Sequence, residues 1–291
     1  MPNPNETLGF IGVGLMGKPM CLRLLDAGFR LNVWARNPDK LQPVLARGAV
    51  FCATLEQLVK NSDILLLCLA DTDVVKQIVL QSLLEHLSEY QLIIDLSSIC
   101  PETTRELAAE VQQKTGAGWV DAPVSGGVAG AEQGKLAIMA GGDEAQIAIA
   151  RRILAPLYQQ LTHMGAVGCG QMTKLCNQMI VSCNVLVIAE MIALAREAGV
   201  DAEKIAPALA GGFADSKPLQ ILAPEMATAT FEPVKWRVKT LLKDLRMAVD
   251  LAMKQGNALP MSGLATQLMQ LHGGRGYLEQ DPSTLIKLYE K

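Results

Sequence analysis

The chain has 291 residues, 50% hydrophobic and 19% charged, with 26 basic and 29 acidic side chains and a net charge of −3. At about 150 residues per domain this length predicts two domains, and the apolar share predicts a large core rather than disorder. The weak charge, without a run of one sign, and an aromatic content of 4% argue against nucleic acid as a partner, since neither a basic stripe nor a stacking platform is available.

In chain order, Leu8–Ile11 reads as a short strand ending at a glycine cluster, and Met16–Ala27 has helical spacing. Leu31–Trp34 is the next strand, followed by Pro38 and a polar helix through Arg47. Ile64–Leu69 and Leu92–Asp95 are unbroken apolar runs that alternate with helical stretches at Asp71–Ser82 and Pro101–Lys114. Trp119–Val120 and Leu136–Met139 read as strands joined by a loop rich in Gly, Pro and Ser. Asp143–Leu161 reads as the last helix of this half. Unbroken apolar strands interleaved with helices predict an α/β, doubly wound parallel sheet covered on both faces.

The pattern changes near Gly165. From Gly168 to Gly199 there is neither a proline nor a turn cluster, which predicts one helix of about 30 residues. Every later segment is helical in pattern: Asp201–Ala210, Pro218–Ala223, Val238–Gln255, Met261–Leu271 and Ser283–Tyr289. The expected organisation is therefore an α/β domain over residues 1–164 and an all-helical domain over 165–291, joined by the long helix.

Cys21, Cys52, Cys68, Cys100, Cys169, Cys176 and Cys183 are odd in number and show no C-x-x-C spacing, which predicts reduced thiols rather than a disulfide framework. His86, His163 and His272 are far apart, so no histidine metal cluster is expected. Met1–Glu6 lacks a basic-then-apolar leader, and the longest apolar segment, Met179–Ala195, is interrupted by Asn184 and Glu190. A cytoplasmic protein without membrane contact is the expectation.

Leu8–Gly17 reads LGFIGVGLMG and contains G-x-G-x-x-G as Gly12, Gly14 and Gly17. The motif follows a strand, opens a helix and begins a βαβ unit, the context a dinucleotide site requires. Gly12 permits the tight turn, Gly14 lets the backbone approach a pyrophosphate, and Gly17 permits close helix–sheet packing. Backbone N–H groups near Leu15 and Met16 then point at the anion. An NAD site usually carries a carboxylate about 20 residues further on, for the ribose 2′-OH. Ala35, Arg36 and Asn37 stand there instead. A guanidinium pairs bidentately with a 2′-phosphate, so NADP(H) is the preferred cofactor, with NAD(H) as the second.

Four segments together resemble the β-hydroxyacid dehydrogenase family: GFIGVGLMGKPM at Gly9–Met20, DLSSICP at Asp95–Pro101, DAPVSGGVAGAEQGKLAIMAGG at Asp121–Gly142 and GCGQMTKLCNQ at Gly168–Gln178. LLKDL at Leu241–Leu245 is a weaker fifth. The resemblance covers essentially the whole chain. It implies an N-terminal Rossmann domain, a C-terminal helical domain, and reversible hydride transfer between a nicotinamide and a small 3-hydroxy acid or its semialdehyde. Tartronate semialdehyde, glyoxylate, succinic semialdehyde and 3-hydroxyisobutyrate are the substrate types it suggests.

The resemblance places Lys174 in the proton-transfer role. Asn177, at i+3 on the same helix face, would bond the substrate oxygen or hold Lys174. An unperturbed lysine, with a pKa of about 10.4, is a poor base near neutrality. Burial and the positive charge of Lys243 or an oxidised nicotinamide are expected to disfavour its ammonium form in the cofactor complex. Ser125, Gly126 and Gly127 would receive a substrate carboxylate through converging N–H groups and a hydroxyl. Ser98, where relatives often have Thr, would face the nicotinamide, and Leu69 and Ala70 would pass the dinucleotide through backbone contacts. Phe231 and Asp244 are expected at the substrate pocket and Lys243 beside the nicotinamide. Gln178, Cys100 and Ala70 depart from the more familiar Asn, Thr and Pro, which leaves the substrate open.

A homodimer or homotetramer assembled through the helical half is expected, since one small domain cannot cover so long an apolar helix. Two other readings share the architecture. One is an imine reductase-like enzyme, although such enzymes typically lack the lysine. The other is a non-catalytic NADP-binding relative, because fold alone does not imply function. A 6-phosphogluconate dehydrogenase needs a larger helical domain than this chain provides.

Overall fold

The computed structural model describes residues 6–290; residues 1–5, most of the stretch read for a leader, and residue 291 lie outside the described residues. The chain divides into two compact units, Met1–Lys174 and Leu175–Lys291. The division falls inside the long helix, whereas the sequence reading sets the boundary before it, at 164/165.

The first unit is a nine-stranded sheet. Its strands are β1 (Thr7–Ile11), β2 (Arg30–Trp34), β3 (Val50–Phe51), β4 (Ile64–Leu67), β5 (Leu92–Asp95), β6 (Gly118–Asp121), β7 (Val124–Ser125), β8 (Leu136–Gly141) and β9 (Tyr158–Gly165). The order is β3-β2-β1-β4-β5-β6-β8-β7, with β9 beside β8. Between the strands run α1 (Gly17–Asp26), α2 (Gln42–Leu45), α3 (Leu55–Lys60), α4 (Thr72–Ile78), α5 (Pro101–Thr115), α6 (Gly127–Gln133) and α7 (Glu144–Leu154).

Strand side chains alternate between two faces, so the sheet has two cores. Phe10, Leu66, Ile94 and Val120 face α1 and α7, where Met20, Leu24 and Ile153 close the layer. Ile11, Leu65, Leu67, Ile93 and Trp119 face the other side with Leu58, Val75 and Leu107 from α3, α4 and α5. Each fully buried Leu or Ile contributes about 1.5–3 kcal/mol, which explains why β1, β4 and β5 carry hardly any polar residue.

Three details depart from the expected parallel sheet. β6 and β7 both pair with β8 antiparallel, so one edge is mixed. The Gly, Pro and Ser-rich segment after β6 is not one loop but holds β7 and α6. The helix expected over Asp143–Leu161 ends at Leu154, and Tyr158–Gly165 is strand β9, parallel to β8. Pro156 cannot continue a helix, and pairing with β8 satisfies the backbone that follows.

The long helix α8 spans Cys169–Glu197. By length and composition it could cross a membrane despite Asn184 and Glu190. Its second half places Val185, Leu186, Ala189 and Ile192 in the core of the second unit. Around it stand α9 (Ile205–Leu209), α10 (Lys217–Thr228), α11 (Val238–Lys254) and α12 (Pro260–His272). Ser216 caps α10 by accepting the Leu219 N–H. On α11 the buried positions Val238, Leu241, Leu242, Leu245, Ala248 and Leu251 follow helical periodicity, which fixes its inner face.

Candidate active site

The glycine turn sits between β1 and α1. Gly12 has φ 106°, and a Cβ there would stand 2.2 Å from the Cys68 carbonyl oxygen; a Cβ at Gly17 would stand 2.0 Å from the Gly12 carbonyl oxygen. Both glycines are therefore demanded by the protein's own packing. A Cβ at Gly14 would meet nothing within 4 Å, so nothing in the chain itself requires glycine at that position. α1 begins without a side-chain cap and without an acidic residue in its first turn, so no carboxylate of that turn faces the positive end of its dipole. Arg36 lies two residues beyond the end of β2, exposed, and makes no ion pair among the described residues. The adjacent turn is fixed by Asn37 Oδ1, which accepts the Asp39 N–H at 3.0 Å.

At the ends of the central strands a hydrogen-bond network ties loops to the start of α8. Asp121, at the end of β6, is fully buried. Its Oδ1 accepts the Gly168 N–H at 2.7 Å and its Oδ2 accepts the Gln171 N–H at 2.8 Å. Burial pushes this carboxyl up, and the N–H groups of Gly168, Gln171 and Gly170 pull it back toward ionisation. A carboxylate thus receives the N-terminal amides of α8, the favourable end of the helix dipole for a negative charge. The approach is so close that a Cβ at Gly141 would lie 2.6 Å from Asp121 Oδ1.

Gln171, 1% exposed, extends the network. Its Nε2 donates to the Ser97 carbonyl at 2.8 Å, and its Oε1 accepts the Ile99 N–H at 3.1 Å. Ser98 stands between those two residues. Ser97 is held further, its N–H donating to Asp95 Oδ1 at 2.9 Å and its Oγ accepting the Leu69 N–H at 2.9 Å. The Leu69 N–H is therefore already used, so a backbone contact from this residue to a dinucleotide would fall to its carbonyl. Beside it the Cys68 thiol is pushed up to about 12 by burial and by the Asp95 charge, and so stays protonated. Lys174 follows on α8 and is 7% exposed, a degree of burial unusual for a lysine.

Ser125 ends β7, half-buried, and the chain turns through Gly126 (φ 137°) and Gly127 (φ 64°) into α6. Both conformations belong to the left-handed side, where glycine is favoured.

In the second unit, Asn177 Nδ2 donates to Gln178 Oε1 at 2.9 Å, and Gln178 Nε2 donates to Asp244 Oδ2 at 2.7 Å. Lys243 Nζ lies 3.2 Å from Asp244 Oδ1. Asp244 is 1% exposed, so its carboxylate serves as an internal node joining α8 to α11 rather than as an open contact surface. Lys243 lines a cavity of about 540 Å³ with Lys239, Arg246, Asp250, Gly273 and Gly274. Phe231 packs against the helical core with Lys287 Nζ 4.9 Å from its ring centroid.

Asp121, Gln171 and Gln178 carry much of this geometry, and the sequence reading assigned none of them a role. Asp121 lies inside the Asp121–Gly142 segment, and Gln178 stands where Asn is more familiar. The available signal was a polar residue one helical turn from Lys174 on either side, Gln171 at i−3 and Gln178 at i+4. Among the described residues, no group of three or more His, Cys, Asp or Glu side chains could hold a metal ion.

Residues 7–165 match the family described as the NAD binding domain of 6-phosphogluconate dehydrogenase. Residues 168–289 match the family described as NAD-binding of NADP-dependent 3-hydroxyisobutyrate dehydrogenase. The chain is 35% identical to a 2-hydroxy-3-oxopropionate reductase of Escherichia coli, over 97% of each chain. The structure of Mycobacterium tuberculosis 3-hydroxyisobutyrate dehydrogenase with L-serine superposes with a TM-score of 0.88 at 28% identity, covering 98% of this chain and 99% of that one. Psf3 in complex with NADP+ and 2-OPP superposes with the same TM-score at 25% identity, covering 98% and 100%.

Proposed function

Because the chain belongs to the β-hydroxyacid dehydrogenase family, we propose that it is an NADP(H)-preferring oxidoreductase transferring a hydride between the nicotinamide and a small 3-hydroxy acid or its semialdehyde, with Lys174 as the proton donor and acceptor. It is an NAD(P)-dependent hydroxyacid dehydrogenase of the 3-hydroxyisobutyrate dehydrogenase and tartronate semialdehyde reductase type. The finer reading rests chiefly on one observation. Lys174, buried, follows by three residues the glutamine whose amide holds both neighbours of Ser98.

The residues present fit a nicotinamide dinucleotide. Gly12, Gly14 and Gly17 with the uncapped start of α1 would hold the pyrophosphate, and Arg36 the 2′-phosphate. When bound, the cofactor supplies or takes the hydride. Lys174 gives its proton to the carbonyl oxygen as the alcohol forms and takes it back from the hydroxyl in the reverse direction. Asn177, oriented by Gln178, bonds the same oxygen. Ser125 with Gly126 and Gly127 receives the substrate carboxylate.

Assembly into a homo-oligomer is supported by Ile180, Val187 and Leu194, which recur every seven residues on α8 and are 67%, 53% and 69% exposed. An apolar stripe of this spacing suits a second copy, and a monomer by light scattering at micromolar concentration would contradict it. The decisive assay for function is consumption of NADPH and of NADH with tartronate, succinic and methylmalonate semialdehydes and glyoxylate. Turnover of at least one, faster with NADPH, is expected; cofactor binding without any turnover would overturn the reading.

A further inference from the structure

We propose that Gln171 is a positioning residue that sets the Ser98 loop and the Lys174 helix in mutual register, so that one buried amide controls the geometry of hydride and proton transfer. The inference rests on the assignment of Lys174 to proton transfer and of Ser98 to the nicotinamide side.

The backbone N–H and both ends of the side-chain amide of Gln171 are engaged. Its backbone N–H goes to Asp121 Oδ2 at 2.8 Å, its Nε2 to the Ser97 carbonyl at 2.8 Å, and its Oε1 to the Ile99 N–H at 3.1 Å. The first bond belongs to the start of α8 and the other two to the loop after β5, so the residue joins elements more than 70 positions apart in sequence. Cys100 extends the clamp, its N–H donating to Thr72 Oγ1 at 3.0 Å. The loop is thereby held on both sides of Ser98.

Three residues along a helix is a rise of about 4.5 Å and places two side chains on neighbouring positions of one face. Displacing the amide therefore moves the Ser98 loop relative to Lys174 without touching either one. Geometry of this kind acts on rate: a shift of about 1 Å in a reacting pair costs roughly 100-fold.

The requirement is also chemically narrow. The side chain must present a donor and an acceptor in one plane, to a carbonyl and an N–H two residues apart. An amide does so, and so does a protonated carboxylic acid of the same length. An ionised carboxylate has no donor for the Ser97 carbonyl and turns negative charge toward it.

The test compares full-length Gln171→Met and Gln171→Glu with the wild type and Lys174→Ala, from pH 5 to 9. It measures kcat, KM for the semialdehyde the wild type turns over fastest, NADPH affinity by its fluorescence, and the thermal midpoint. Gln171→Met should lose about 10- to 100-fold in kcat, with KM, NADPH affinity and thermal midpoint little changed. Gln171→Glu should approach the wild type at low pH, where the buried acid is protonated and donates to Ser97. It should fall away as pH rises through its raised pKa.

The proposal is overturned if Gln171→Met keeps kcat within twofold. It is equally overturned if kcat and the thermal midpoint fall while KM rises, or if both variants keep the same ratio to the wild type at every pH. If Gln171→Met does not fold, the pH signature of Gln171→Glu decides alone. Lys174→Ala separates the two levels: a wild-type kcat there removes the catalytic assignment itself. Its loss beside an unaffected Gln171→Met removes only the role of Gln171.

Discussion

Gly170 and Asp121 approach so closely that a Cβ on Gly170 would lie 2.8 Å from Asp121 Oδ2 and 2.4 Å from the Met139 carbonyl. The second glycine of GCG at the start of α8 is thus a packing requirement imposed first by the β8 backbone and then by a buried carboxylate. Gly170→Ala should destabilise the first unit by about 1–3 kcal/mol, the usual range for forcing extra volume into a packed site. Urea unfolding followed by tryptophan fluorescence measures this; an unchanged midpoint would mean the helix start moves freely.

Arg36 decides between cofactors. Arg36→Ala should raise KM for NADPH about tenfold or more, the value of one charge-assisted pair, and leave KM for NADH nearly constant. Equal effects on both cofactors would remove the 2′-phosphate from its assignment.

A third prediction concerns acid stability. His272 is buried, stacked on Tyr277 with ring centroids 4.4 Å apart, and its Nε2 lies 2.9 Å from Thr284 Oγ1. Burial, then the charges of Arg275 and Lys287, lower its pKa to about 4. Its unfolded value is about 6.5, so between these limits the unfolded chain binds a proton that the folded chain refuses. The stabilisation is complete above pH of about 6.5 and is lost as pH falls toward 4, by an amount on the order of 1–3 kcal/mol. Denaturation midpoints against pH should show this slope in the wild type and a flatter one in His272→Gln.

Ser125 tests the carboxylate loop. Ser125→Ala should raise substrate KM roughly tenfold, the worth of one hydrogen bond to a charged group, with a smaller change in kcat. A kcat loss at constant KM would instead place Ser125 at the reacting carbon.

Much of this was legible from local pattern. The turn at Gly12, Gly14 and Gly17, the apolar strands β1, β4 and β5, and the uninterrupted run that becomes α8 each carry their signal within a few residues. β7, α6 and β9 were not legible. β7 has only two residues and α6 only seven, while β9 is defined by its pairing with β8 more than by its own periodicity. Gln171 and Asp121 escaped notice for a related reason: their roles are set by partners 47 to 74 positions away, a distance no local pattern spans. Gln178 looked like a family variant until its bond to Asp244, 66 positions on, gave it a place.

In the proposed mechanism the buried amine of Lys174 moves the proton. This is tested most directly by kcat of Lys174→Ala with NADPH and the preferred semialdehyde, alongside NADPH affinity of the same variant. A loss of about 10²- to 10⁴-fold in kcat, the range for a general acid–base group, with cofactor affinity retained, is the predicted result. A variant that binds NADPH and turns over at nearly the wild-type rate would contradict it.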